Sequence, residues 1–204
     1  ILAVFLAKKT RLNGLLQSVA FSPYIVSLAS IALLWMWLMN NDFGFLNALL
    51  AVFGIPAIDW LGSPKFALMS LIIINVWKSV GYNALILVSA LQGIPPHLYE
   101  AARLDRANTW RTFSRITFPM ISPTVFFLAL VDVIAAFKVF ETIQIITQGG
   151  PQNSTNTLVF SLYEYGFQFY KVGYAAAIGV VLFFIVLLFT ILYFAVLSKR
   201  VHYQ

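Results

Sequence analysis

The chain predicts an all-α integral membrane protein, and three observations carry that prediction. Hydrophobic residues make up 61% of its 204 residues and charged ones 10%, against roughly 25% charged in soluble domains; the mean hydropathy is +0.87. Four apolar runs, residues 15–39, 66–91, 120–147 and 174–197, are each long enough to cross a hydrocarbon core about 30 Å thick, which takes about 20 helical residues. Much of the remaining charge is gathered in residues 95–119, which hold Glu100, Arg103, Asp105, Arg106, Arg111 and Arg115 between two of those runs. Residues 1–204 read as one transmembrane domain, and none of the runs is a signal peptide, whose apolar core is roughly 7–15 residues.

Residues 1–7 are apolar, begin without Met and cover only about 10 Å at the helical rise. They read as the end of a partial span, with at least one further complete span expected upstream. Residues 15–39 carry Ser18, Ser22, Pro23, Ser27 and Ser30, small residues that let helices approach and bond across to one another, so this run belongs inside a bundle. Trp35 and Trp37 near its outer end suit the headgroup level. Residues 40–64 are rich in turn chemistry around the apolar residues 45–53, too few to span and expected to lie along the outer surface as a short amphipathic helix.

Within 66–91, Asn75, Lys78 and Tyr82 fall at i, i+3 and i+7 and share a helix face. A cation at membrane depth costs at least about 2.5 kcal/mol on insertion scales. Lys78 therefore either lines a translocation path or is held by carbonyls or an acidic neighbour. Residues 95–119 come next. Pro95 and Pro96 end one helix and suit the first turn of another. Leu98, Ala101, Ala102 and Asp105 share one face of it. Asn108 is a favourable N-cap for a second short helix, with Trp110, Phe113 and Ile116 inward until Pro119 stops it. Two short helices meeting at an angle make a knuckle, with Glu100 offering a charge to a partner cation.

The run 120–147 carries Asp132, Lys138 and Glu141. Lys138 and Glu141, three apart, can pair on one face. Asp132 has no such neighbour in its own helix and needs a cation elsewhere, for which Lys78 is the expected partner. Residues 148–171 open on Gln-Gly-Gly-Pro and end in an aromatic-rich stretch, suited either to an external partner or to the headgroup level. In the uncharged run 174–197, Ala175, Ala176, Ala177 and Gly179 mark a close-packed face.

Orientation follows from the loops. Lys8, Lys9, Arg11, Arg103, Arg106, Arg111, Arg115, Lys199 and Arg200 fall on one side, Lys65 and Lys171 on the other. Positive side chains stay in the cytoplasm, which puts the loop 95–119 and the C-terminus there. That asymmetry and contact with anionic lipid account for the net charge of +6 without nucleic acid. The absence of Cys excludes disulfides and thiolate metal sites within the chain. No G-x-x-x-x-G-K-[ST] phosphate loop is present, so the chain binds no nucleotide by that device. His97 and His202 form no H-x-x-H pattern, and there is no G-x-S-x-G, which leaves an intramembrane enzyme without a catalytic set. A secondary transporter could use Asp132 and Glu141 for coupling ions, but it gives no account of the knuckle.

Glu100-Ala101-Ala102, followed by Asp105, Ala107, Trp110, Phe113, Ile116, Thr117, Pro119 and Pro123, resembles the EAA loop of the permease subunits of binding-protein-dependent ABC importers. The resemblance extends through Val76-Trp77-Lys78, Leu91-Gln92-Gly93-Ile94-Pro95, Gly149-Gly150-Pro151, Ser154-Thr155 and Gly173-Tyr174, and is nearest to the carbohydrate branch with its maltose-type and glycerol-3-phosphate-type permeases. It implies the type I importer permease fold, with 95–119 as the coupling helix loop seated in a cytoplasmic ATPase subunit. Glu100, Ala101, Ala102, Asp105, Arg106 and Ala107 would form the contact. It also implies a second permease subunit, two ATPase subunits that bind the ATP and Mg, an extracytoplasmic substrate-binding protein, and a sugar or polyol phosphate moved by alternating access across a prokaryotic cytoplasmic membrane. Asn75, Lys78, Tyr82, Asp132, Lys138 and Glu141 are the residues expected along the path. The chain departs from the family at Arg106, where Gly is usual; a residue with a Cβ loses roughly 1 kcal/mol in a left-handed turn.

Overall fold

Apolar runs in lipid must satisfy their backbone internally, and this chain does so with helices. The computed structural model describes residues 2–7 and 10–197, among which there is no strand. In order, the helices are α1 Leu2–Leu6, α2 Arg11–Ile25, α3 Leu28–Leu38, α4 Phe45–Val52, α5 Pro64–Gln92, α6 Pro96–Leu104, α7 Thr109–Thr112, α8 Phe118–Phe137, α9 Leu158–Tyr163 and α10 Val172–Leu197. Single π-helical turns lie at Phe113–Thr117, Ile143–Thr147 and Glu164–Gln168. The Lys8-Lys9 turn and the basic tail 198–204 lie outside the described residues.

Among the described residues, three stretches are long and apolar enough to cross a membrane: Pro64–Gln92, Thr109–Phe137 and Val172–Val196. Two of the expected spans differ from the prediction. Residues 15–39 form a broken pair, α2 and α3, interrupted by a sharp bend at Val26 and Ser27. Pro23 in the last turn of α2 starts the break, because it offers no N–H. The run expected at 120–147 instead begins at Thr109 and ends at Phe137. Helix continues through Pro119 because the π turn Phe113–Thr117 precedes it; widening the ring relieves the clash between a proline and the preceding turn. At the other end Lys138 closes on Ala135 O at 3.0 Å, Val139 and Phe140 leave the helix, and the freed carbonyl of Val139 accepts from the Thr157 hydroxyl at 3.4 Å.

The chain divides into two units. One comprises Ile1–Ser22, Val80–Val133 and Leu188–Gln204. Its core is Ala3, Leu6, Ala84 and Val88, with Ala7, Leu87 and Leu91 packed against them. The short α1 is finished by side chains of α2, with Asn13 Nδ2 donating to Phe5 O at 3.2 Å and Gln17 Nε2 to Leu6 O at 2.9 Å. Those carbonyls have no partner within the helix. Helices α2 and α5 meet at Gly81, where any Cβ would run into the Ala20 carbonyl. The Tyr193 hydroxyl donates to Phe126 O at 2.8 Å, and the two rings lie 4.6 Å apart.

The other unit comprises Pro23–Ser79 and Ile134–Leu187. Ile31, Met39 and Ile74 form one buried cluster, covered by Trp35, Leu46, Trp60, Leu61 and Ile146. Leu71, Ile143 and Phe160 form a second. The surface segment expected at 45–53 is the helix α4, and Leu46 docks it on the first cluster. Asn47 organises the loop that follows. Its Nδ2 donates to Ile58 O at 3.0 Å and Asn41 O at 3.3 Å, and its Oδ1 accepts from Ile58 N at 3.1 Å and Trp60 Nε1 at 2.9 Å. Only part of the small-residue face expected on α10 is covered: Ala175 is buried and Gly179 meets Leu162, while Ala176 and Ala177 are exposed.

Replacing the Asn47 amide by an isosteric apolar group strands the Trp60 indole N–H and both polar groups of Ile58. Asn47→Leu should therefore destabilise the protein by about 1–3 kcal/mol, read as a lowered unfolding midpoint of the detergent-solubilised protein. An unchanged midpoint would show that the loop is held by other contacts.

Candidate functional site

The charged loop 95–119 is built by backbone rules. Gly93 N–H closes α5 on Ser89 O at 3.1 Å. Pro95 then stands extended before Pro96, which starts α6 at the first position, where a missing N–H costs nothing. Helical spacing sorts α6 into two faces. His97, Glu100, Ala101 and Leu104 at i, i+3, i+4 and i+7 are exposed, whereas Leu98, Tyr99 and Ala102 turn inward. Ala102 is 6% exposed. The expected Ala pair is therefore split: Ala101 can meet a partner, and Ala102 packs within its own unit.

The end of α6 is a Schellman closure. Ala107 N–H donates to Ala102 O at 2.9 Å and Arg106 N–H to Arg103 O at 3.0 Å, the paired bonds that define the motif. It requires a left-handed residue, and Arg106 supplies it at φ 51°. The turn that usually takes Gly is thus kept with an arginine in it, at roughly 1 kcal/mol of strain. Asp105 is the cap residue, exposed beside it.

Asn108 then caps the next helix, its Oδ1 accepting from Arg111 N at 2.8 Å. Trp110, expected inward with Phe113 and Ile116, is 74% exposed, with its ring stacked on Phe113 at 6.1 Å; Phe113 and Ile116 are half-buried. The second helix of the knuckle does not stop at Pro119 but is continuous with α8. Tyr99 of α6 and Thr117 of the π turn share a hydroxyl pair at 3.2 Å, tying the two arms together.

The residues expected along a path each have their own setting, and Asn75, Lys78 and Tyr82 all lie on the continuous helix α5. Lys78 Nζ donates to Pro23 O at 3.1 Å, Tyr24 O at 3.2 Å and Val26 O at 2.7 Å. All three donors of the ammonium are thus spent on the carbonyls at the broken end of α2, where the partial negative charge of the helix also favours a cation. Asn75 Nδ2 donates to Leu71 O at 2.8 Å and Thr142 Oγ1 at 3.3 Å. Tyr82 is half-buried. The expected pair of Asp132 with Lys78 is not formed: Asp132 Oδ2 accepts from Asn83 Nδ2 at 2.7 Å within its own unit, an amide in place of a cation. Nor is there an ion pair between Lys138 and Glu141 among the described residues, because α8 ends at Phe137 and the i, i+3 register lapses. Both are exposed, beside the break.

Sequence reasoning passed over Leu104 and Asn83. Leu104 is 86% exposed, and its place four residues after Glu100 was the available signal. No local pattern points to Asn83, whose partner lies 49 residues away.

The model of the binding-protein-dependent transport system inner membrane component family matches residues 1–203. The chain belongs to that family. Among the family's relatives, it is 33% identical over 197 residues to the trehalose/maltose transport system permease protein MalF of Thermococcus litoralis, covering 95% of this chain and 65% of that protein. It is 37% identical over 191 residues to the sn-glycerol-3-phosphate transport system permease protein UgpA of Escherichia coli O157:H7, covering 92% of this chain and 64% of that protein. The chain thus spans less than two thirds of the length of these relatives. Its fold matches a chain in the crystal structure of a bacterial alginate ABC transporter in complex with alginate pentasaccharide-bound periplasmic protein, with a TM-score of 0.88, 24% identity and coverage of 98% of this chain and 70% of that one. The all-helical, multi-pass architecture is that of the type I importer permeases of this family.

Two substitutions test the local arguments. Lys78→Met leaves three carbonyls bare and should lower stability by about 2 kcal/mol or more, while Lys78→Arg keeps most of it; equal midpoints for Met and Lys would mean water or lipid serves those carbonyls. Arg106→Gly relieves the left-handed residue and should raise the unfolding midpoint by roughly 2–4 °C for about 1 kcal/mol.

Proposed function

We propose that this chain is a permease subunit of an ATP-driven importer that moves a sugar across the cytoplasmic membrane by alternating access. The observation that carries the reading is the knuckle: a charged, capped pair of helices with an outward stripe of His97, Glu100, Ala101 and Leu104, joined without a break to a membrane-spanning helix. A stripe of that kind suits a cleft in another protein. The excess of arginine in the same loop favours the cytoplasmic side for it and for the C-terminus. In this reading ATP hydrolysis, with its ATP and Mg, falls to a separate ATPase subunit, and the lack of a phosphate loop in this sequence supports that. A second permease subunit, a second ATPase and an extracytoplasmic binding protein complete the assembly.

In this role Glu100 pairs with a cation of the ATPase, Ala101 allows close approach and Leu104 fills an apolar hollow. Asp105, Arg106 and Ala107 set the turn that presents them, and Ala102 anchors it from inside. The named relatives include both a trehalose/maltose and an sn-glycerol-3-phosphate permease. The sugar reading is favoured by Lys78, whose ammonium is fully engaged by carbonyls. A dianionic phosphate would call for free cations along the path, and Lys138 is the remaining mid-chain lysine. Exposed Glu141, close to it in sequence, suits hydroxyl groups better than phosphate.

The test is co-purification followed by transport. Glu100→Ala and Leu104→Asp should each reduce capture of the ATPase by about tenfold, the equivalent of 1.4 kcal/mol, without lowering the permease's own unfolding midpoint. In proteoliposomes, ATPase activity should be stimulated by the cognate binding protein loaded with a di- or oligosaccharide. Uptake that continues with no ATPase bound sinks the importer reading, and stimulation by sn-glycerol-3-phosphate alone replaces the sugar with a polyol phosphate.

A further inference from the structure

A cavity of about 490 Å³ opens at the knuckle, within the unit that holds α1 and α6. Its walls divide by polarity. Val4 of α1, Ala7 just after it, Leu91 of α5 and Phe113 form an apolar side, and Arg103, Tyr99, Thr109, Thr112 and Thr117 form a polar one. Thr112 spends its hydroxyl hydrogen on Asn108 O at 3.1 Å, and the remaining polar groups keep donors to spare. Tyr99 and Thr117 share one hydrogen bond between two hydroxyls, so one O–H of the pair remains to donate. Among the described residues no acidic side chain lines the cavity, and the Arg103 guanidinium brings a fixed positive charge with five N–H donors. Glu100 and Asp105, the acidic residues nearest in sequence, do not line it.

A site with that chemistry selects an anion carrying several acceptor oxygens, and guanidinium matches phosphate in geometry. The apolar wall separates a lipid from a free anion. Val4 lies within α1 and Ala7 follows its last residue, and Leu91 stands in the last turn of the membrane-spanning helix α5. The ends of spanning helices are where hydrocarbon gives way to headgroups. A cation and hydroxyls beside helix ends of this kind reproduce the polarity order of a phospholipid, with phosphate at the arginine and the first methylenes along Val4, Ala7 and Leu91. Anionic headgroups are also what the arginine-rich loop attracts, at about 1 kcal/mol for each basic residue near the surface. We propose that this cavity is a binding site for the headgroup of an anionic phospholipid, held by Arg103, Thr109 and the Tyr99–Thr117 pair. Lipid of the adjacent leaflet would then brace α6 against α1 and α5 from within. The inference requires the membrane placement of the family but not the coupling role of the outer stripe, since Arg103 and the stripe residues Glu100, Ala101 and Leu104 are different side chains.

Native mass spectrometry of the full-length protein in detergent, titrated with phosphatidylglycerol, phosphatidylcholine or inorganic phosphate, tests it. Phosphatidylglycerol should give a retained adduct that phosphatidylcholine does not displace. Arg103→Gln should weaken that adduct by about tenfold, Arg103→Lys by less, and Val4→Trp, which fills the apolar side with the arginine intact, should abolish it. Circular dichroism of each variant checks that it is folded; should Arg103→Gln unfold, Thr109→Val, expected to weaken the adduct severalfold, decides in its place. Inorganic phosphate that competes on equal terms would make this a free-anion site and overturn the lipid assignment. A phosphatidylglycerol adduct unchanged in both Arg103→Gln and Val4→Trp would overturn the site altogether. Failure of the unaltered protein to capture any ATPase subunit, with the lipid adduct intact, would count against the proposed function and leave this site standing.

Discussion

The Lys78 ammonium, bound to three carbonyls of Pro23, Tyr24 and Val26, is the interaction on which the unusual parts of this structure depend. A helix that stops inside hydrocarbon exposes carbonyls that water cannot reach, at several kcal/mol each. A span can be interrupted at Val26 and Ser27 only if something donates to those groups. Lysine is suited to this, with three donors on a flexible stem and a charge that the helix end welcomes. The same rule recurs at the end of α8, where the Thr157 hydroxyl serves the Val139 carbonyl. Each departure from continuous helix is matched by a side chain from elsewhere in its unit.

This explains what could and could not be read from the residues. The helical class, the apolar runs, the surface helix at 45–53 and the capped knuckle were legible because they rest on composition, periodicity and local capping. Asn108 caps where its identity says it should. The breaks were not legible. Hydropathy cannot distinguish one long helix from two short ones when the sequence between them is equally apolar, as at Ile25 and Val26. A proline reads as a stop, yet Pro119 lies inside continuous helix because a π turn makes room, and no local rule predicts that turn.

The misread charges share a cause. Asp132 was matched with Lys78 on charge alone, whereas the fold assigns Lys78 to carbonyls and Asp132 to an amide. In a low-dielectric setting what must be satisfied is each group's hydrogen-bonding capacity, and an amide or a carbonyl can meet it as well as an opposite charge. The residues of the knuckle were placed better, since on a short exposed helix the 3.6-residue period decides which side chains face out. Even there, Ala102 showed that a conspicuous pair need not act together: one step of 100° around the helix separates a contact residue from a core one.

The knuckle hangs between α5 and the helix that begins at Thr109, and two hydrogen bonds reach that helix, one from α5 and one from α6. Asn83 of α5 reaches Asp132 at 2.7 Å, and Tyr99 reaches Thr117 at 3.2 Å. The helix that begins at Thr109 runs on to Phe137, so a push on Trp110 is carried along its axis. Under the proposed coupling, the force enters through the outer stripe of α6 and is carried to the level of Asp132 by two helices that must move together. Breaking the Asn83–Asp132 bond removes that linkage and leaves an unpaired carboxylate at membrane depth, a cost that falls on stability and transmission alike. The strained Arg106 fits the same requirement. A left-handed residue is tolerated where the surrounding bonds over-determine the turn, and a turn held that firmly presents Glu100, Ala101 and Leu104 at a fixed angle.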